Sequence, residues 1–116
     1  MKRATRPDIP DMLRFLAHSG RREMLVFLGE GPKTVRELST HTRRPPASLR
    51  PHLRLMTQWK LIRPMATKRP QKFQLTPRVG VLFFDDRAAV EIRDLPSGKI
   101  TLTTKRRRAA RRTKRS

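Results

Sequence analysis

Residues 16–77 read LAHSGRREMLVFLGEGPKTVRELSTHTRRPPASLRPHLRLMTQWKLIRPMATKRPQKFQLTP, and the changes of hydrophobic period within them decide the fold. Met24, Leu25, Phe27 and Leu28 recur at helical spacing, with Ser19 as the expected N-cap and Gly29-Glu30-Gly31-Pro32 as the stop. Thr34-Val35-Arg36-Glu37 matches a capping box that opens a short helix, with Val35 and Leu38 as its buried pair and an end near His41-Thr42. After Arg43-Arg44-Pro45-Pro46 an amphipathic stretch carries Leu49, Leu53, Met56 and Trp59 or Lys60 as its inward stripe, and Arg50, Arg54, Thr57 and Gln58 outside. Proline inside a helix costs roughly 3 kcal/mol. Pro46 and Pro51 therefore predict a late helix start, with Ser48 as N-cap and Pro51 in the first turn.

From Leu61 the period changes toward alternation. Leu61 to Met65 and Gln71 to Leu75 flank a polar, basic tip and predict a β-hairpin, with Pro64 and Pro70 at edge or end positions. Upstream, Ile9, Met12, Leu13, Leu16 and Ala17 predict a first helix with Asp8 or Asp11 near its start. Downstream, Thr76-Pro77 is an expected N-cap and first-turn pair for a short helix through Val81 and Leu82, which Gly80 weakens. Alternation on either side of Leu95-Pro96-Ser97-Gly98 predicts a second hairpin.

Charge is distributed as unevenly as hydrophobicity. The 116 residues hold 29 Lys or Arg against 9 Asp or Glu, a formal net charge of +20. Self-repulsion of that size points to a polyanionic partner, nucleic acid ahead of an anionic membrane surface. Eight basic residues and no acid occupy the last twelve positions, KRRRAARRTKRS, which reads as a disordered arm. The acids fall into two groups, Asp8 to Glu37 and Asp85 to Asp94, so residues 38–84 contain ten Lys or Arg and no acid. An unpartnered surface normally intersperses both signs. One face of the middle segment is therefore the candidate polyanion site.

Several classes fall away. There is no cysteine, hence no disulfide framework, thiolate catalysis or thiolate metal site. No apolar run approaches the roughly 20 residues that cross a bilayer. The start, MKRATRPDIPD, has charge but no apolar stretch behind it, so a signal peptide is not expected and the default is a soluble, cytoplasmic protein. No nucleophile and base arrangement suggests an enzyme, and no cofactor or metal is expected. His18 and His41 read as helix-end or surface residues, His52 as either packed or phosphate-touching, and Asp85-Asp86 as a polar turn. Trp59 and Phe73 read as core, which leaves no aromatic surface for single-stranded bases. The run Val79, Val81, Leu82, Phe83, Phe84 reads equally as core closure or as a dimer interface.

Three helices, a longer helix and a basic hairpin form the order of a winged helix-turn-helix. Within it, Arg22, Met24-Leu25 and Leu28, then Thr34-Val35 and Glu37-Leu38, then Ser48, His52-Leu53 and Met56, then Leu61-Ile62 and Leu75-Thr76-Pro77 keep the order and spacing of a known pattern. On these residues the chain resembles the ArsR family of prokaryotic DNA-binding regulators. The resemblance implies that Val35 to Thr42 is the supporting helix and that Ser48 to Lys60 is the recognition helix entering the major groove. It implies a wing whose tip, Thr67, Lys68 and Arg69, lies along the backbone or minor groove. The family's arsenic and metal sensors use cysteine or clustered histidine and carboxylate, and this chain lacks that ligand set.

The expected architecture is mainly α with a small β wing, a C-terminal β-hairpin and a basic tail. Its parts are a basic arm (1–7), a winged helix-turn-helix domain (8–84), a hairpin extension (85–104) and a disordered tail (105–116). The expected contacts to double-stranded DNA are Arg43, Arg44, Ser48, Arg50, His52, Arg54, Thr57, Lys68, Arg69 and Lys72, joined by Lys105, Arg106, Arg107, Arg108, Arg111 and Arg112 of the tail. A homodimer through Val81, Leu82, Phe83 and Phe84 is the possible assembly. A chromosome-associated transcription regulator, a low-specificity architectural or nucleoid-type protein and an RNA-associated basic protein remain as readings.

Overall fold

In the computed structural model, residues 7–65 and 69–105 are described. Helix α1 (Ile9–Leu16) starts at Asp8, whose N–H donates to the Asp11 carboxylate at 3.0 Å, and buries Met12, Phe15 and Leu16. Leu13, expected inside, is 43% exposed, and Phe15 takes its place in the core. Helix α2 (Ser19–Leu28) is capped by His18 rather than Ser19, because the imidazole Nδ1 accepts from the Gly20 N–H at 3.1 Å. It buries Met24, Leu25, Val26 and Leu28, while Phe27 stays half-buried under the His41 ring at 4.0 Å.

Strand β1 (Lys33–Thr34) leads into α3 (Val35–Thr42), and the expected capping box forms: Glu37 N–H donates to Thr34 Oγ1 at 3.1 Å, and Thr34 N–H to Glu37 Oε1 at 2.8 Å. The helix ends on Arg43 in the left-handed region, φ 61°. Helix α4 (Pro46–Gln58) corrects the expected late start. Pro45 is the N-cap and Pro46 occupies the first turn, where a missing N–H has no intrahelical partner to lose. Ser48 thus lies inside the helix, its N–H bonded to Pro45 O at 2.9 Å, and Pro51 sits in the helix interior on the exposed face. Leu49, Leu53 and Met56 are buried as the periodicity predicts.

Strands β2 (Ile62–Pro64) and β3 (Lys72–Leu75) pair antiparallel in the register Ile62 to Leu75 and Pro64 to Phe73, and β1 adds to β3, giving the order β1-β3-β2. Pro64 ends an edge strand, where a proline interrupts no ladder. The short helix expected after Pro77 does not form. Residues Val79–Phe83 are strand β4, joined antiparallel to β5 (Arg87–Leu95), which pairs with β6 (Gly98–Lys105). The β-branched Val79 and Val81 flank Gly80 and find ladder partners in Ile92 and Val90, which overrides the helix-start signal. Thr76 caps no helix: its hydroxyl donates to Lys60 O at 2.6 Å.

The expected C-terminal hairpin is accordingly two strands of a three-stranded sheet, order β4-β5-β6. Ala88, Val90, Ile92 and Leu95 face inward and join one core with Met12, Leu16, Met24, Leu25, Leu38, Leu49 and Met56. Gly29 permits a close approach between helix and sheet, since a Cβ there would meet Val81 Cβ at 2.8 Å. Lys105, assigned above to a disordered tail, is the last residue of β6 and pairs with Arg87. Pro7, assigned to the N-terminal arm, is buried. Residues 1–6, 66–68 and 106–116 lie outside the described residues, and with them the expected contacts Lys68, Arg106, Arg107, Arg108, Arg111 and Arg112.

Candidate nucleic-acid interface

Burial of Leu49, Leu53 and Met56 fixes which side chains α4 can present. At 3.6 residues per turn, Arg50, Arg54 and Thr57 fall on one flank of that stripe and His52 on the other. Arg50, Arg54 and Thr57 line a shallow groove with Val35 at the start of α3 and Phe73 on β3, floored by Leu53. The α4 arginines and the β2–β3 hairpin therefore share one concave surface. Both arginines are exposed.

The ion pairs among the described residues are Arg14 with Asp11, Arg87 with Asp86, and Glu91 with Arg93 and Lys99. No Lys or Arg of residues 38–84 takes part in these pairs, and the charge of Lys72 reaches Glu37 across the start of α3.

The remaining expected contacts divide by position. Arg43 and Arg44 are exposed in the α3–α4 turn, where Arg44 N–H donates to Ser39 O at 3.2 Å. Ser48 is exposed in the first turn of α4. The Thr57 hydroxyl donates to Leu53 O at 2.8 Å, so its proton is held within the helix. Lys72 is exposed on β3 opposite Thr34, and its charge, with that of Lys33, reaches Glu37. The backbone hydrogen bond from Thr34 is the largest cause holding the Glu37 carboxyl below its ordinary range. Arg69 is exposed at the end of the hairpin. Lys105 lies on the second sheet, apart from the α4 groove.

His52 is half-buried, and its Nδ1 accepts from Arg21 Nε at 3.2 Å. Burial first, then the charges of Arg21, His18 and Arg44, hold its pKa below the ordinary histidine value. Sequence reasoning missed Arg21 and passed over His18. Their only signal is that the basic pair Arg21-Arg22 follows three residues after His18 at a helix start. Phe83 and Phe84, read equally as core closure or as a dimer interface, are 38% and 51% exposed. They stand beside Asp85 and Asp86 at the far end of β4.

Residues 18–63 match the family model described as bacterial regulatory protein, arsR family. The match runs from the α2 cap through α3 and α4 into β2, so over these elements the chain is similar to the helix-turn-helix of DNA-binding regulators. A comparison with curated proteins finds no match. Among the described residues no helix is long and apolar enough to cross a membrane, and no cluster of His, Cys, Asp or Glu is suited to a metal ion.

Proposed function

We propose that the protein is a double-stranded DNA-binding transcription regulator whose helix α4 enters the major groove while the β2–β3 hairpin acts as a wing. The observation that carries this reading is the groove bearing Arg50 and Arg54, uncompensated by any acid, on a helix within the arsR-type match. The two guanidiniums would contact base edges or phosphates, with Arg43, Arg44, Lys72 and Arg69 extending the phosphate track. The basic residues 106–116 would add sequence-independent contacts by counterion release. In this reading the protein binds rather than catalyses, and it works on the chromosome of a prokaryotic cytoplasm.

A second reading, low-specificity architectural binding, is favoured by the reading end of α4. Pro46, Ala47 and Pro51 leave Ser48 and Arg50 as the groups there that can hydrogen-bond a base. Competition between a footprinted genomic site and random duplex separates the two. A specificity ratio of about 10³ or more supports the regulator, and a ratio below about tenfold supports architecture. The RNA reading gains nothing from Phe83 and Phe84, because the neighbouring Asp85 and Asp86 repel a polyanion.

Self-association belongs to the same proposal in narrowed form. Val81 faces the core, so the surface offered to a second copy is formed by Leu82, Phe83 and Phe84.

A further inference from the structure

Four basic side chains from three segments meet at the start of α2, on the flank of α4 opposite Arg50. His18 caps the helix, Arg21 lies in its first turn, Arg44 comes from the α3–α4 turn and His52 from α4. The His18 and His52 ring centroids are 5.9 Å apart, and Arg21 Nε reaches His52 Nδ1 at 3.2 Å. A Cβ on Gly20 would lie 2.8 Å from Arg44 Nε and 3.1 Å from His18 Cε1, so glycine makes room for the guanidinium against the helix backbone. Arg21 is held in place by a bond from Nη1 to Phe15 O at 3.0 Å and by stacking over the Phe15 ring at 4.5 Å.

The charged and titratable groups that act on His52 are Arg21, His18 and Arg44, all of them cationic or able to become so, and no carboxylate offsets them. Both rings use Nδ1 as an acceptor, from Gly20 N–H and from Arg21 Nε, which leaves each neutral imidazole with its proton on Nε2. An anion placed among the four would be met by guanidinium and imidazole N–H donors. It would also offset the positive charges of Arg21, His18 and Arg44 that act on the His52 ring.

We propose that His18, Arg21, Arg44 and His52 grip a phosphodiester of the duplex beside the groove occupied by α4, and that the His52 imidazole takes up a proton at Nδ1 as it binds, with Arg21 Nε released from that nitrogen toward the phosphate. The proposal rests on the DNA-binding reading above. It adds a contact on the α2 side of the recognition helix, and it makes affinity rise as pH falls. Each pKa unit gained by a ring on binding corresponds to about a tenfold gain in affinity between its neutral and protonated limits.

The test follows the imidazole Cε1 protons of the 116-residue chain by NMR from pH 5 to pH 8 at about 0.15 M salt, with and without duplex DNA. The expected result is that duplex raises the pKa of His52, which the free protein holds below the ordinary histidine value. In parallel, duplex affinity measured by anisotropy should tighten toward low pH for the wild type and lose that dependence in the His18→Gln, His52→Gln double variant. Duplex binding with the His52 pKa unmoved, or with the same pH slope in the double variant, overturns this inference and leaves the DNA reading standing. Inorganic phosphate that moves the His52 ring as far as duplex does also overturns it, since the cluster is then a free-anion site. Absence of duplex binding overturns both.

Discussion

Arg78 donates from Nη1 to Trp59 O at 3.1 Å and from Nη2 to Asp94 O at 2.7 Å, tying the end of α4 to β5. Its Nε is buried without a partner, so the side chain has been drawn out of water to make this strut. Replacement by Met keeps the stem and removes both hydrogen bonds from the guanidinium, at a cost of about 1–3 kcal/mol. Thermal unfolding of Arg78→Met should show a melting temperature lower by at least about 4 °C. Glu37 gives the corresponding pH effect. Its carboxyl is held below its ordinary 4.5, first by the Thr34 backbone hydrogen bond, so the unfolded state binds the proton more tightly. The stabilisation is present above pH 4.5 and is lost as pH falls through the lower folded value. Glu37→Gln keeps the capping geometry without the charge, and the melting-temperature gap to wild type should shrink between about pH 6 and pH 3. The capping box was legible as Thr34 and Glu37 three apart. Arg78 was not, because nothing in Thr76-Pro77-Arg78 tells that carbonyls from two distant elements converge on it.

At the scale of elements, α4 and β4 differ in how far sequence carried. The stripe Leu49, Leu53, Met56 sets the inward face of α4 whatever residue begins the helix, and the two ends, Pro46 and Gln58 in place of Ser48 and Lys60, were misplaced. Pro46 fits the first turn without loss of a hydrogen bond, whereas Pro51 stands inside the helix. For β4 the local signal pointed the wrong way. Thr76-Pro77 resembles a helix start, and the ladder partners Val90 and Ile92 that decide otherwise lie more than ten residues downstream. Pairing also settles which side chains face outward. Val81 joins the core, while Leu82 projects from the opposite face at 66% exposure. Leu82→Glu should therefore leave the fold and melting temperature nearly unchanged while shifting sedimentation to the monomer. A variant that unfolds, or an unchanged sedimenting mass, contradicts self-association through this strand.

For the whole molecule, charge placement matters more than total charge. The described ion pairs all lie outside residues 38–84, and the groove between α4 and the hairpin keeps its arginines uncompensated. That asymmetry was readable from the order of residues alone. The convergence of His18 and Arg21 with Arg44 and His52 was not, since it depends on packing α2 against the start of α4. Residues 106–116 carry seven further Lys or Arg. Since β6 extends to Lys105, truncation after that residue keeps the sheet while removing the tail. It should flatten the salt dependence of duplex binding by up to about 6 units, at about 0.9 per phosphate. The central claim, a basic protein face laid against the phosphates of a duplex, is tested most directly by one measurement: the slope of log Kobs against log salt for the 116-residue chain on duplex DNA. At least roughly five phosphate contacts predict a linear fall with a slope steeper than about −4. Absence of duplex binding, or a slope near zero, would contradict it.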